Sequence, residues 1–217
     1  MKIIITNRDP MIYEYLESNY HLSEPIFFSD VNIPNVSRAE LNRMFAYYCS
    51  KGKLSKYERD IYFIPGKTLL NPTGGPTAET VAGYKYISRG TDVFGFYSGS
   101  TFANQLGIST QVPKITEIVS NAMTAKVKQV SFGNELFIVR KPPVLITKEN
   151  ALSLQFLDLL KNIDNYADDF RQSRKTIETY LKRVKITASE IDRYIGYFPM
   201  NVYKNYYDLR LYEIFAS

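Results

Sequence analysis

The chain has one cysteine, one histidine and no tryptophan in 217 residues. Cys49 has no second cysteine to pair with, so an intrachain disulfide is excluded, which fits a reducing compartment. With His21 and Cys49 alone, no zinc set of histidines and cysteines can be assembled. A histidine-dependent triad has a single candidate and no Gly-x-Ser-x-Gly elbow to serve it. No apolar run reaches the ~18 residues that span a bilayer, and Ile3-Ile4-Ile5 is too short for the core of a signal peptide. These absences predict a soluble, cytoplasmic protein with no membrane partner.

Enzyme signatures are missing too. There is no Gly-x-Gly-x-x-Gly. Gly66-Lys67-Thr68 is similar to the end of a P-loop, but Ile61 stands where the first glycine is required. No Asp-x-Lys or Glu-x-Lys occurs, which removes the carboxylate–lysine arrangement common in metal-dependent nucleases. Asp168-Asp169 reads as a solvated helix end rather than a metal site. The sequence therefore predicts no catalytic residue, metal, cofactor or small-molecule substrate.

What is present is charge in the wrong place for a uniform surface. The net charge is +5. Residues 1–36 carry net −3, residues 37–67 net +4, residues 171–193 net +4, and the remaining segments balance. A basic island on a folded element is the footprint of a phosphate-bearing partner, or simply a solubilising surface. The island at 171–193 reads as a solvated helix face, with a second DNA contact or an acidic protein partner as the alternative.

The first island sits on a recognisable order of elements. Asp9-Pro10 opens a short helix. Ser23-Glu24-Pro25 opens a second, expected over Ile26 to Val31, and Asn32–Asn35 reads as a turn. Ser37-Arg38-Ala39-Glu40 has the form of a capping box. The helix behind it places Leu41, Met44, Phe45 and Tyr48 at i, i+3, i+4, i+7 and ends before Gly52. Leu54–Lys56 and Ile61–Ile64 then form a hairpin around Tyr57–Asp60. Helix, helix, turn, helix, hairpin is the order of a winged helix-turn-helix, whose third helix enters the major groove.

On that third helix Ala39, Arg43, Ala46 and Ser50 lie opposite the apolar stripe, with Asn42 and Tyr47 at its flanks. Arginine can pair with guanine and asparagine with adenine. Ser37 and Arg38 stand at the helix N-terminus, where amides favour a phosphate, and Lys51, Lys53, Lys56 and Arg59 follow on the helix end and wing. The predicted DNA-binding set is thus Ser37, Arg38, Asn42, Arg43, Tyr47, Lys51, Lys53, Lys56 and Arg59. The bland reading is an amphipathic helix with a solvated face.

Asn71–Pro76 reads as a linker, dividing residues 1–70 from a mixed α/β domain at 71–217. In that second part the sequence predicts helices over Ala78–Tyr86 and Gly99–Leu106, with Ser98 as N-cap. It also predicts extended runs over Val93–Tyr97 and Ile115–Ser120, and a hairpin about Gly133-Asn134. C-terminal helices are expected over 150–161, 174–184, 188–197 and 201–215. The fold class is therefore α+β. The aromatic-rich end, from Tyr194 to Phe215, reads as core packing, with a protein interface as the alternative because tyrosine is enriched there.

Two blocks carry a family resemblance. Gly52-Lys53-Leu54-Ser55-Lys56-Tyr57-Glu58-Arg59-Asp60-Ile61-Tyr62 and the run from Tyr97-Ser98-Gly99-Ser100-Thr101-Phe102 to Gln111-Val112-Pro113 resemble the AbiEi family of type IV (abortive infection) antitoxins. In that family the wing carries Arg-Gly; here Asp60 replaces the glycine. Asp tolerates the left-handed conformation, so the turn survives, but its charge opposes phosphate contact. The resemblance covers about residues 25–141. It implies a transcriptional regulator that binds operator DNA near its own promoter and neutralises a nucleotidyltransferase-like toxin. Two other classes stay open: a protein-binding module without DNA affinity, and a nucleic-acid-processing enzyme.

Overall fold

The computed structural model describes residues 9–66 and 74–215. The fold is mixed α/β and divides into two compact units, Met1–Val81 and Ala82–Ser217. Residues 71–73 of the expected linker lie outside the described residues, as does Lys67.

The first unit begins with α1 (Asp9–Asn19), which buries Ile12 and Leu16. The segment expected as a second helix is instead a short strand, β1 (Ile26–Phe27), followed by a 3-10 turn at Phe28–Asp30. The reason lies in its composition. Ile-Phe-Phe is apolar on every side and suits a strand buried on both faces. β1 pairs antiparallel with a distant strand, Ile26 opposite Tyr62 and Phe27 opposite Ile61. α2 (Arg38–Ser50) then buries Leu41, Met44, Phe45 and Tyr48, the four positions of the apolar stripe. Gly52 follows at φ +70, a left-handed stop that costs glycine nothing.

β2 (Ser55–Glu58) and β3 (Ile61–Phe63) form the hairpin, with a bulge between Lys56 and Glu58. The strand thus extends two residues further than the sequence suggests, and the turn is only Arg59-Asp60. Asp60 adopts φ +61. The sheet order is β1-β3-β2. Phe45 locks helix to sheet: it meets Phe28 edge-on at 5.1 Å and Tyr62 at 4.9 Å.

α3 (Ala78–Tyr86) runs through the division between the units. The second unit continues with β4 (Ser88–Arg89), β5 (Asp92–Val93), β6 (Gly95–Tyr97), α4 (Gly99–Gln105), β7 (Thr116–Ser120), β8 (Val127–Phe132) and β9 (Glu135–Arg140). The run expected as one strand over 93–97 is split between two sheets. β4 and β5 form a ribbon, and β6-β7-β9-β8 form a four-stranded sheet in which only β7 and β9 are parallel. Gly95 permits the split, because a Cβ there would lie 1.9 Å from the Tyr86 carbonyl oxygen.

The helices are α5 (Ala151–Leu160), α6 (Ile163–Tyr166), α7 (Ser173–Val184), α8 (Ala188–Ile195) and α9 (Met200–Asp208). α5 is buried on nearly every side, and Leu154, Phe156, Leu157, Leu159 and Leu160 form the centre of this core. Thr187 and Glu190 complete a reciprocal capping box on α8. The last expected helix breaks after Asp208. Arg210 takes φ +50 and a 3-10 turn covers Leu211–Phe215. No described helix is long and apolar enough to cross a membrane.

Candidate nucleic-acid interface

α2 is built from its cap outward. The Ser37 hydroxyl accepts a hydrogen bond from the Glu40 amide at 3.2 Å, satisfying one of the amides a helix start leaves without an intrahelical partner. The buried stripe then fixes the helix rotation, so Ala39, Asn42, Arg43, Ala46 and Ser50 all face solvent. Among the described residues the side chains of Asn42 and Arg43 make no hydrogen bond or ion pair. Tyr47 lies half-buried at the edge of this face, its ring 5.8 Å from that of Tyr48.

Arg38 behaves differently. Its guanidinium donates to the Phe28 and Val31 carbonyls at 2.8 and 2.9 Å, and to the Ser29 carbonyl at 2.9 Å. It also lies 5.4 Å from the Phe28 ring centroid. A 3-10 turn leaves its last carbonyls without partners, and Arg38 caps them. It therefore braces α2 against the turn.

The remaining cations differ in freedom. Lys51 sits 5.8 Å over Tyr47, and Lys53 sits 4.3 Å over Tyr13 and 6.0 Å over Tyr48. Both are exposed, so each ammonium rests against a ring on one side and is open to solvent on the other. Lys56 is exposed on β2. Arg59, at the tip, is 94% exposed, and its Nε lies 3.6 Å from the Asp60 carboxylate. So Asp60 supplies the left-handed turn and also places a negative charge on the tip.

Beneath this surface burial pushes the Cys49 thiol up, with Lys56 opposing it, and burial raises Tyr62, helped by Cys49 and Asp60. Both side chains are neutral at pH 7, and neither adds an anion behind the basic surface.

The second unit holds a polar cluster that the sequence did not point to. Asp158, buried, binds Arg140 Nη2 at 3.3 Å and Lys161 Nζ at 3.1 Å. Arg140 Nη2 also donates to the Ser98 hydroxyl at 2.8 Å and lies 3.5 Å from Glu117. Ser98 precedes α4 as expected, but its side chain does not cap the helix; it serves Arg140 instead. The Glu117 carboxylate takes the Ser100 amide and hydroxyl, both at 3.1 Å. One signal was there to read: Asp158 is the lone charge in Ala-Leu-Ser-Leu-Gln-Phe-Leu-Asp-Leu-Leu. An acid in so apolar a helix must be paired.

The island at 171–193 is partly neutralised locally, through Arg174–Glu213 at 2.8 Å and Lys182–Glu178 at 2.8 Å. Asp168 and Asp169 accept from backbone amides, Asp168 from Thr110 and Asp169 from Arg171 and Gln172. Among the described residues no three His, Cys, Asp or Glu side chains gather as a metal set. The chain matches no model of a known protein family, and no curated protein matches it by sequence.

Proposed function

We propose that this chain binds double-stranded DNA through a winged helix-turn-helix in its first unit, with α2 as the groove-reading helix and β2–β3 as the wing. The observation that carries this is the solvent face of α2. It presents Asn42 and Arg43, without hydrogen-bond or ion-pair partners among the described residues, between small residues, next to Lys53 and a hairpin bearing Lys56 and Arg59. Small residues let a helix approach base edges, and Asn and Arg have the donor patterns to read them. The element order and the sheet order β1-β3-β2 support the same reading, with the 3-10 turn at Phe28–Asp30 in the place of the middle helix.

In this reading Ser37, Lys51, Lys53, Lys56 and Arg59 contact phosphates, Tyr47 flanks the groove, and Arg38 is a brace. The resemblance at 52–62 and 97–113 extends the proposal. The protein is a cytoplasmic antitoxin that represses its own operon and neutralises a nucleotidyltransferase-like toxin, without catalysis of its own.

A mobility-shift titration with the protein's own promoter region tests the DNA half. Binding should fall steeply with salt, because phosphate contacts release counterions. Arg43→Ala should relax sequence preference at a cost of ~1–3 kcal/mol. Lys53→Ala should weaken all sequences alike. Absence of binding at low salt overturns the reading. It would favour instead a protein-binding module, for which the Arg59–Asp60 pair at the wing tip already speaks. Co-expression with the nucleotidyltransferase-like product of a neighbouring frame tests the second half by growth rescue.

A further inference from the structure

One end of the four-stranded sheet opens on a cleft of about 800 Å³. The open ends of β8 and β9 form one side, α5 the floor, and the turn between α8 and α9 the other side. The Lys141 amide donates to the Lys126 carbonyl at 3.1 Å, so these two lysines are neighbours at the mouth of the hairpin. Both are exposed, and among the described residues neither ammonium meets a carboxylate. Their backbone pairing leaves two positive side chains side by side at the mouth of the cleft. On the floor, Asp158 holds Arg140 and Lys161 in place. Four cations thus line the cleft; Asp158 and Glu117 answer Arg140 and Lys161, which leaves the charge of Lys126 and Lys141 in surplus at its mouth.

The rest of the lining decides between ligand classes. Pro142, Pro143 and Pro199 offer no amide donors, and no glycine lines the cleft. Nothing there resembles the backbone cradle that favours a nucleotide phosphate. The walls are apolar instead, with Phe198 buried and Tyr197 62% exposed. Cations around an apolar, proline-edged slot suit carboxylates on a chain that also inserts one apolar side chain.

We propose that this cleft docks a short acidic segment of a partner protein, anchored by one aromatic or aliphatic side chain. The proposal deepens the antitoxin half of the reading above and rests on it only in supposing a protein partner. Complementary charge steers such a partner and selects it against basic competitors.

The test uses the full chain and a labelled seven-residue peptide with a central phenylalanine between acidic triplets. Fluorescence anisotropy should show saturable binding. The Lys126→Glu, Lys141→Glu double variant should weaken it at least tenfold, and Tyr197→Ser at least threefold. Both sets alter exposed side chains, and circular dichroism checks that the fold is kept. The same peptide with lysines for acids should not bind, and adenosine monophosphate and inorganic phosphate should not compete. The proposal is overturned by no acidic-peptide binding up to millimolar concentration, by equal binding of the lysine peptide or the double variant, or by competition from the monophosphate. Growth rescue against the toxin is scored separately. Peptide binding lost in the double variant while rescue stays intact would keep the cleft and refute the toxin as its occupant.

Discussion

Asp60 is the residue at which conformation and electrostatics pull apart. The Arg59-Asp60 turn needs a left-handed residue at its second position, and Asp60 supplies φ +61. Its carboxylate is 67% exposed and lies 3.6 Å from the Arg59 guanidinium. Replacing it with asparagine keeps a side chain that tolerates this backbone and removes only the charge. If the wing tip lies about 7 Å from a phosphate, one unit charge in bulk water is worth ~0.6 kcal/mol, and two flanking phosphates give ~1 kcal/mol. Screening at physiological salt takes away part of this, since the Debye length there is about 8 Å. The net expectation is ~0.5 kcal/mol, or promoter affinity tighter by roughly two- to threefold. Relieving Arg59 of its Asp60 partner strengthens the phosphate contact it makes, and should also steepen the dependence of log affinity on log salt by up to about 0.9.

Asp60→Gly should match asparagine in affinity while relaxing the turn, since left-handed backbone costs an L-residue about 1–2 kcal/mol and glycine almost nothing. Anisotropy titrations at several potassium chloride concentrations, with urea melts of each variant, separate the two effects. Equal gains on promoter and unrelated DNA are expected, because the tip reads no base. Unchanged affinity and slope for Asp60→Asn would refute the placement of the wing tip on the phosphate backbone, and with it the assignment of Arg59.

Three further outcomes follow from the packing. Arg38→Ala removes three guanidinium–carbonyl hydrogen bonds in a largely exposed setting, so it should lower unfolding stability by about 1–2 kcal/mol in urea melts yet leave the salt slope of DNA binding unchanged. Tyr180 is buried with its hydroxyl unpaired, and burial raises its pKa to about 12. Because the folded value lies above the unfolded one, its contribution is full below about pH 10 and is lost as pH rises towards 12. Tyr180→Phe should therefore be neutral or stabilising at pH 8, and should flatten the alkaline fall in urea midpoint between pH 10 and 12. Gly95→Ala would place a Cβ 1.9 Å from one backbone carbonyl oxygen and 2.8 Å from another; a loss of several kcal/mol is expected by thermal melting, with little folded protein recovered.

Local signals carried α2 almost completely. Ser37 as cap, the Leu41–Met44–Phe45–Tyr48 stripe and the left-handed Gly52 are all decided within a few residues of one another, and each appears where the sequence puts it. The Gly133-Asn134 turn of β8–β9 is legible for the same reason. β1 was not, because Ile26 and Phe27 become a strand only by pairing with Tyr62 and Ile61, more than thirty residues on. The periodicity of the short run Ile26–Val31 cannot distinguish that outcome from a helix.

The site shows the same division at the level of single side chains. Arg38 and Arg43 are both arginines on one helix, five residues apart, and the sequence places both on DNA, Arg38 at a phosphate and Arg43 at a base edge. What separates them is the 3-10 turn that formed in place of the expected helix. Its end leaves the Phe28, Ser29 and Val31 carbonyls in need of donors, and these lie within reach of Arg38 but not of Arg43. The strand at 26–27 and the contacts of Arg38 are therefore one event: a segment that ends in a tight turn draws in the nearest guanidinium as its cap, and Arg43, five residues further along α2, makes no such contact.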